Sequence, residues 1–196
     1  MNSLHRGVLV VGLFVLLTAV LTYPLSLHPA SCAQALSADT RLFLWTLSWD
    51  VHALLTQPFR LFDANIFYPE RHTLAYSEHL LGSALLGAPF LLATGNPVLA
   101  LNVVVLLSCV LSGLGAFLLA RRTGASREGA VIAGVIFAFA PPRFFRLGQL
   151  HLAAVQWIPF SLAALHAYAT TKGPRHLVWA ASFFTLQCLA SGHGGL

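Results

Sequence analysis

Charged side chains are scarce in this sequence. They make up 9% of its 196 residues, eleven Lys and Arg and six Asp and Glu, against 57% hydrophobic residues. With a mean hydropathy of +0.76, that leaves too little polar surface to clothe a soluble globule of this size. Cysteine is equally thin. Cys32, Cys109 and Cys188 form neither a CxxC metal pair nor a disulfide framework, and Cys109 and Cys188 read as small core hydrophobes. Internal repeats, low-complexity tracts and a soluble domain are all missing. The formal charge of +5 does not point to nucleic acid, because the basic residues stand in short clusters between apolar runs, as the positive-inside rule expects of a membrane protein.

What the sequence does have is apolar runs long enough to span lipid. His5-Arg6 followed by Gly7 to Leu21 and then Ala33-Gln34-Ala35 matches a secretory signal peptide. The run continues through Tyr23, Pro24, Leu25 and Leu27, however, and at roughly 20 residues reaches spanning length, which favours an uncleaved first helix. Cys32 follows Pro29-Ala30-Ser31, without the leucine of a lipoprotein site. Further runs are Leu80 to Ala93, Val98 to Ala120, Gly129 to Ala140, Leu152 to Ala169 and Leu177 to Leu196.

Loop charges decide how these runs are threaded. If Leu80 to Ala93 does not cross, Arg6, Arg121, Arg122, Arg127, Lys172 and Arg175 all lie inside with Glu128, and five arginines lie outside with five acids. If it crosses, only Arg6, Arg143 and Arg146 remain inside, against the positive-inside rule. The chain therefore reads as one all-α integral membrane domain over 1–196, with a cytoplasmic N-terminus. About five transmembrane helices are expected, over 7–27, 98–120, 129–140, 152–169 and 177–196, with interfacial helices in a first outer loop over 26–96. Leu80 to Ala93 then lies at, or dips into, the outer interface. Gly129/Ala133, Gly134/Ala138 and Ser112/Ala116 are small-xxx-small pairs suited to close helix contact.

The outer segment from Ser26 to His79 holds Asp39, Asp50, Asp63, Glu70 and Glu78, five of the six carboxylates. From Asp39 to Thr56 the spacing of Phe43, Leu47, Val51, Leu54 and Leu55 is helical, and Trp45 and Trp49 stand one turn apart, as in a helix seated at a membrane interface. Asp39, Thr46 and Asp50 fall on one face and form a polar stripe. Asp39 suits either an N-cap or first-turn residue, or a group that does chemistry; Asp50 suits a solvated face or a substrate contact. Pro58, Pro69 and Asp63-Ala64-Asn65 break up the remainder, and Phe59, Phe62, Phe67, Tyr68 and Tyr76 are expected to seat it on the bilayer.

An N-terminal span, a long outer loop with an early aspartate, an interfacial helix, a span ending in Ala120-Arg121-Arg122, then Gly129-Ala130-Val131-Ile132-Ala133 and Ala140-Pro141 together resemble the start of a GT-C glycosyltransferase. That group includes the protein mannosyltransferase and aminoarabinose transferase relatives, and the resemblance covers nearly the whole chain. It implies a bacterial inner-membrane enzyme that moves a sugar from a polyprenyl-phosphate donor to an acceptor at the outer face. Asp39 matches the family's catalytic carboxylate and would be the base that deprotonates the acceptor hydroxyl. Arg143 and Arg146, in Pro141-Pro142-Arg143-Phe144-Phe145-Arg146, would hold the leaving lipid phosphate, or else snorkel at the interface. His151 would line the same cavity, Gln156 would face protein, and Asp50 and Glu78 would contact substrate. No metal site is read from ligand spacing, although some relatives use a divalent cation, for which Glu70, His72, Glu78 and His79 could supply atoms; His193 reads as a helix contact or kink.

Two departures stand against the pattern. Asp39 is followed by Thr40 where many members pair two acids, and the chain stops at Ser191-Gly192-His193-Gly194-Gly195-Leu196, inside apolar sequence, as an N-terminal fragment of such an enzyme would. A non-catalytic membrane assembly protein and a component of a lipid-linked sugar transporter or flippase are the alternative functions.

Overall fold

The computed structural model describes residues 3–32 and 38–190, and every regular element among them is helical. In chain order the α-helices are α1 (Ser3–Leu21), α2 (Ala38–Thr56), α3 (Leu81–Thr94), α4 (Pro97–Arg122), α5 (Arg127–Phe139), α6 (Pro141–Phe144), α7 (Leu150–Ala153), α8 (Trp157–Thr171) and α9 (Pro174–Ala190), with short 3-10 turns at Pro58–Arg60 and Thr73–Tyr76 between α2 and α3. Local chemistry sets most of the boundaries. Pro97 occupies the first position of α4, where a missing N–H costs nothing, and the Asn96 side chain accepts from the N–H groups of Val98 and Leu99. Ser126 caps α5 by accepting from Gly129 N–H, and α5 stops where Ala140 precedes Pro141. The N-terminal run expected to continue as helix to residue 27 ends at Leu21, because Pro24 offers no N–H and pushes the residue before it away from helical geometry.

At 26 residues α4 is the longest element, about 39 Å, and different partners cover its two halves. On the N-terminal half, Gly87 of α3 faces Val104 of α4 and Leu47 of α2. On the C-terminal half, Phe14 of α1 fits between Gly113 and Gly134, and a Cβ on Gly134 would come within 2.6 Å of the Gly113 carbonyl. Gly115 faces Pro159 and Phe160 of α8. The buried face of α5 is Ala130, Gly134 and Ala138, so the Gly134/Ala138 pair does serve close contact, whereas Gly129 belongs to the cap.

The segment 152–169, expected as one span, is instead two helices that meet at Ala154-Val155-Gln156. Pro159 cannot donate back to Val155, and its ring crowds that carbonyl, so the helix restarts at Trp157. Gln187 of α9 repairs the break: its Nε2 donates to Ala154 O at 2.7 Å and its Oε1 accepts from Trp157 N–H at 3.3 Å. Two helical stretches, Pro97–Arg122 and Leu150–Thr171, the second including this break, are long and apolar enough to cross a membrane; His5–Leu21 and Leu81–Thr94 are apolar but shorter. Residues 191–196, with His193 and the end of the 177–196 run, lie outside the described residues, as does Ala33-Gln34-Ala35.

Both ends of the bundle are tied by polar contacts. At one end the Arg127 guanidinium donates to Arg6 O at 2.7 Å. At the other, Asn102 donates to Pro29 O and Cys32 O at 2.7 and 2.6 Å, and Asn96 donates to Ala30 O at 2.9 Å. The chain therefore runs up α1, down α4, up α5, down α8 and up α9, with α2 and α3 set against the upper half.

Candidate functional site

Helix α2 begins next to the turn that links α6 to α7. Asp39, in its first turn and half-buried, accepts a hydrogen bond at Oδ2 from Gln149 Nε2 at 2.9 Å. One residue on, Thr40 Oγ1 reaches Gly148 O at 3.5 Å, and one turn on, the Phe43 ring lies 4.9 Å from the His151 ring. Between them Thr40, Asn102, Leu147, Gly148 and Leu150 line a cavity of about 10 Å³, room for about one water. The Asp39 carboxylate is thus held by a long-range amide. The residue that would cap α2, Ser37, lies outside the described residues.

The turn that delivers Gln149 is anchored by Arg143. Its Nε and Nη2 donate to Ala153 O at 3.2 and 2.8 Å, Nη2 also donates to Ser108 Oγ at 2.8 Å, and Nη1 donates to Ala138 O. Ser108 Oγ in turn donates to Ala153 O at 2.9 Å. One guanidinium thus ties the end of α5, the end of α7 and the middle of α4 together. Arg146 differs: it is exposed, and its carbonyl accepts the Gln149 N–H at 2.8 Å.

The far end of α2 carries a second polar group of another kind. Asp50 is fully buried, and its Oδ2 accepts the Leu80 N–H, at the start of α3, at 3.0 Å. A carboxylate thirty residues away thus satisfies the backbone N–H of the residue that opens α3. Burial lifts the Asp50 acid from 3.8 to about 7, the Leu80 hydrogen bond offsetting part of the rise. Asp50 Oδ1, Thr46 Oγ1, Ser83 Oγ and His79 Nδ1 are buried there without a hydrogen-bond partner. Of the two readings of Asp50, the solvated face is therefore ruled out; Thr46 on the same face is buried too, while Asp39 is half-buried. The physical reason is that α2 is covered on several sides. Gly87 of α3 meets Leu47, and the 57–79 segment folds over the other flank.

That segment is built around the tryptophans expected at an interface. Trp49 Nε1 donates to Leu61 O at 2.8 Å, Trp45 Nε1 donates to Asn65 Oδ1 at 3.1 Å, and the two indoles stack at 6.4 Å. Trp49, Ala53, Leu61, Ala64 and Leu74 make a small second core. Phe62 packs against it, while Phe59, Phe67, Tyr68 and Tyr76 remain exposed. Glu78 is half-buried, two residues before Leu80. His72 Nδ1 lies 3.3 Å from Asp63 Oδ1.

The predicted residues thus divide. Asp39 comes together with the segment that carries Arg143, Arg146 and His151, and Asp50 comes together with the chain next to Glu78, about 16 Å along α2 by helical rise. Glu70, His72, Glu78 and His79 are not brought together as a ligand set: no three His, Cys, Asp or Glu side chains suited to a metal gather among the described residues. Gln149 and Ser108 were missed by reading the sequence. Gln149 had a faint signal, a polar residue between Gly148 and Leu150; Ser108, a lone hydroxyl in an apolar helix, had none. No protein-family model, curated protein or solved structure matches this chain.

Proposed function

We propose that the chain is an integral membrane glycosyltransferase domain that takes a sugar from a polyprenyl-phosphate donor at the outer face of a bacterial inner membrane. In this reading α1, α4, α5, α7 with α8, and α9 cross or enter the bilayer with the N-terminus in the cytoplasm. Six fixed cations at the Arg6/Arg127 end, with Glu128 the one carboxylate in those loops, support that orientation. At 13 residues α5 is short for a crossing, so the α5–α8 hairpin enters from the cytoplasmic side and turns within the protein, where irregular backbone is tolerated when covered. The exposed aromatics Phe59, Phe67, Tyr68 and Tyr76 suit a segment seated at the outer interface.

The observation that carries the catalytic part is the Gln149–Asp39 hydrogen bond. It sets the first acid after α1 beside the turn that bears the exposed Arg146. As the acceptor oxygen attacks the anomeric carbon, its proton passes to the Asp39 carboxylate. The bond from that carbon to the donor's phosphate oxygen breaks, and the phosphate leaves with the electron pair. Arg146 offers its guanidinium to that developing charge. Arg143, with its donors already given to two carbonyls and the Ser108 hydroxyl, holds the turn in place, and Asp50 holds the residue that opens α3.

The test is transfer by Asp39→Asn in proteoliposomes that contain the polyprenyl-phosphate sugar. Insertion is expected to be unchanged while transfer falls at least about a hundredfold; near-normal transfer overturns the assignment. Orientation is checked separately, with cysteines placed at Ser77 and Ser126 in a background lacking Cys32, Cys109 and Cys188. An impermeant thiol reagent outside should modify the first and spare the second, and the reverse pattern inverts the topology. One observation favours a second reading, a component of a lipid-linked sugar transporter: Arg143 is held against Ser108 near the midpoint of α4, and an ionisable group at that depth often marks a path. Movement of the donor across the bilayer without its consumption would favour that reading.

A further inference from the structure

At the end of the bundle opposite Asp39, a side-opening groove of about 330 Å³ runs between α4, α8 and α9. One side of it is apolar and aromatic, formed by Leu118, Phe160, Trp179 and Phe183, and its mouth is marked by Arg122 and His176. The aromatic wall is ordered: Phe160 and Phe183 lie 5.4 Å apart, and Trp179 stacks on Phe183 at 5.8 Å. Trp179 is nevertheless 57% exposed, so the wall is finished on one side only. Arg122 uses Nη1 to donate to Ala163 O at 3.3 Å, which fixes the guanidinium at the rim. A guanidinium carries five N–H donors in a fixed fork, so more remain to meet an anion.

We propose that this groove binds an anionic phospholipid of the cytoplasmic leaflet, its phosphodiester on Arg122 and the upper part of one acyl chain against Trp179 and Phe183. The proposal rests on the membrane reading above, and not on sugar transfer. Charge complementarity selects the occupant. Arg121, Arg127, Lys172 and Arg175 stand in the same loops, with Glu128 as their one carboxylate. A basic rim over an apolar slot between helices is what a lipid with a charged head and an aliphatic tail requires. The volume is within the range of small-ligand sites. A soluble anion would leave the aromatic wall uncovered, and a zwitterionic lipid would gain less from the rim.

The tryptophan on the wall supplies the readout. The protein is reconstituted in phosphatidylcholine nanodiscs doped with phosphatidylglycerol or phosphatidylcholine brominated high on the acyl chains, and Trp fluorescence is followed. The wild type should reach half-maximal quenching at an about fivefold lower mole fraction of the brominated anionic lipid than of the zwitterionic one, a preference of the size expected for one arginine near the surface. Arg122→Gln should bring the two curves together, and Trp179→Phe should remove most of the lipid-selective quenching. Millimolar glycerophosphate or inorganic phosphate should leave the curves unchanged; relief of the anionic preference by either would show a free-anion site and overturn the proposal. Equal quenching by both lipids in the wild type, as for a groove covered by protein, also overturns it while leaving the membrane reading intact. No quenching by either lipid overturns both.

Discussion

The two aspartates of α2 sit eleven residues apart on one face of one helix, yet they have opposite surroundings. Asp39 is half-buried and meets a side-chain amide, Gln149, at 2.9 Å; Asp50 is fully buried and meets a backbone N–H, Leu80, at 3.0 Å. A carboxylate held by a neutral side chain at the edge of the protein keeps lone pairs for a reacting proton. One enclosed among buried hydroxyls and set on a helix start is committed to the fold, and it resists ionisation because no solvent reaches its charge. The difference separates a residue suited to chemistry from one suited to architecture.

Five substitutions sharpen or break that contrast. The largest effect is expected at Asp39, where Asn should slow transfer by about 10² to 10⁴ fold with an unchanged melting temperature. Asp50→Asn should leave transfer within a few fold, and equal losses at both positions would erase the distinction.

Next comes the pH dependence of stability. Because the folded Asp50 acid is raised from 3.8 to about 7, the folded protein holds that proton where the unfolded chain has lost it. Stability should therefore fall as pH rises from about 4 to about 7, by at most about 4 kcal/mol, and then level off. Thermal melts in detergent across that range check this, and Asp50→Asn should flatten the slope. A wild-type slope of the opposite sign would refute the assignment to Asp50.

A smaller loss is expected for Arg143→Gln, which strands the carbonyls of Ala138 and Ala153. It should lower stability by about 3 kcal/mol, while Arg146→Gln should change stability by less than about 0.5 kcal/mol and raise the donor KM. Denaturant titration and donor-dependence assays separate the two.

A smaller loss of stability than at Arg143 belongs to Gln149→Leu, which removes one hydrogen bond to a carboxylate and should cost about 1 to 2 kcal/mol. Transfer should fall less than in Asp39→Asn, since the base remains but is less well held. A Gln149→Leu variant as inactive as Asp39→Asn would move the catalytic role from the carboxylate to the pair.

Much of the helical framework was legible in the chain itself. Apolar periodicity and Trp spacing marked α2 over nearly its whole length, and the apolar runs Val98 to Ala120, closed by Arg121-Arg122, and Gly129 to Ala140, closed by Pro141, marked α4 and α5 to within two residues at each end. These are local signals, set by which residues tolerate a missing N–H, supply a cap or repeat at the helical period. The shared face of Asp39, Thr46 and Asp50 was legible for the same reason. Periodicity says which residues share a face; it carries no information on what will cover that face.

That part the tertiary structure alone decided. Thr46 and Asp50 are buried because the 57–79 segment and α3 close over α2, through contacts such as Trp49 to Leu61 and Gly87 to Leu47. The Arg143–Ser108 and Gln149–Asp39 contacts join residues 35 and 110 positions apart. A guanidinium's choice between a phosphate and a set of two carbonyls and a hydroxyl depends on how α4, α5 and α7 meet, which no local pattern encodes. The sequence by itself determined where helices start, stop and present polar atoms; which of those atoms remain accessible for chemistry was settled only by long-range packing, because burial is a property of neighbours and not of the residue.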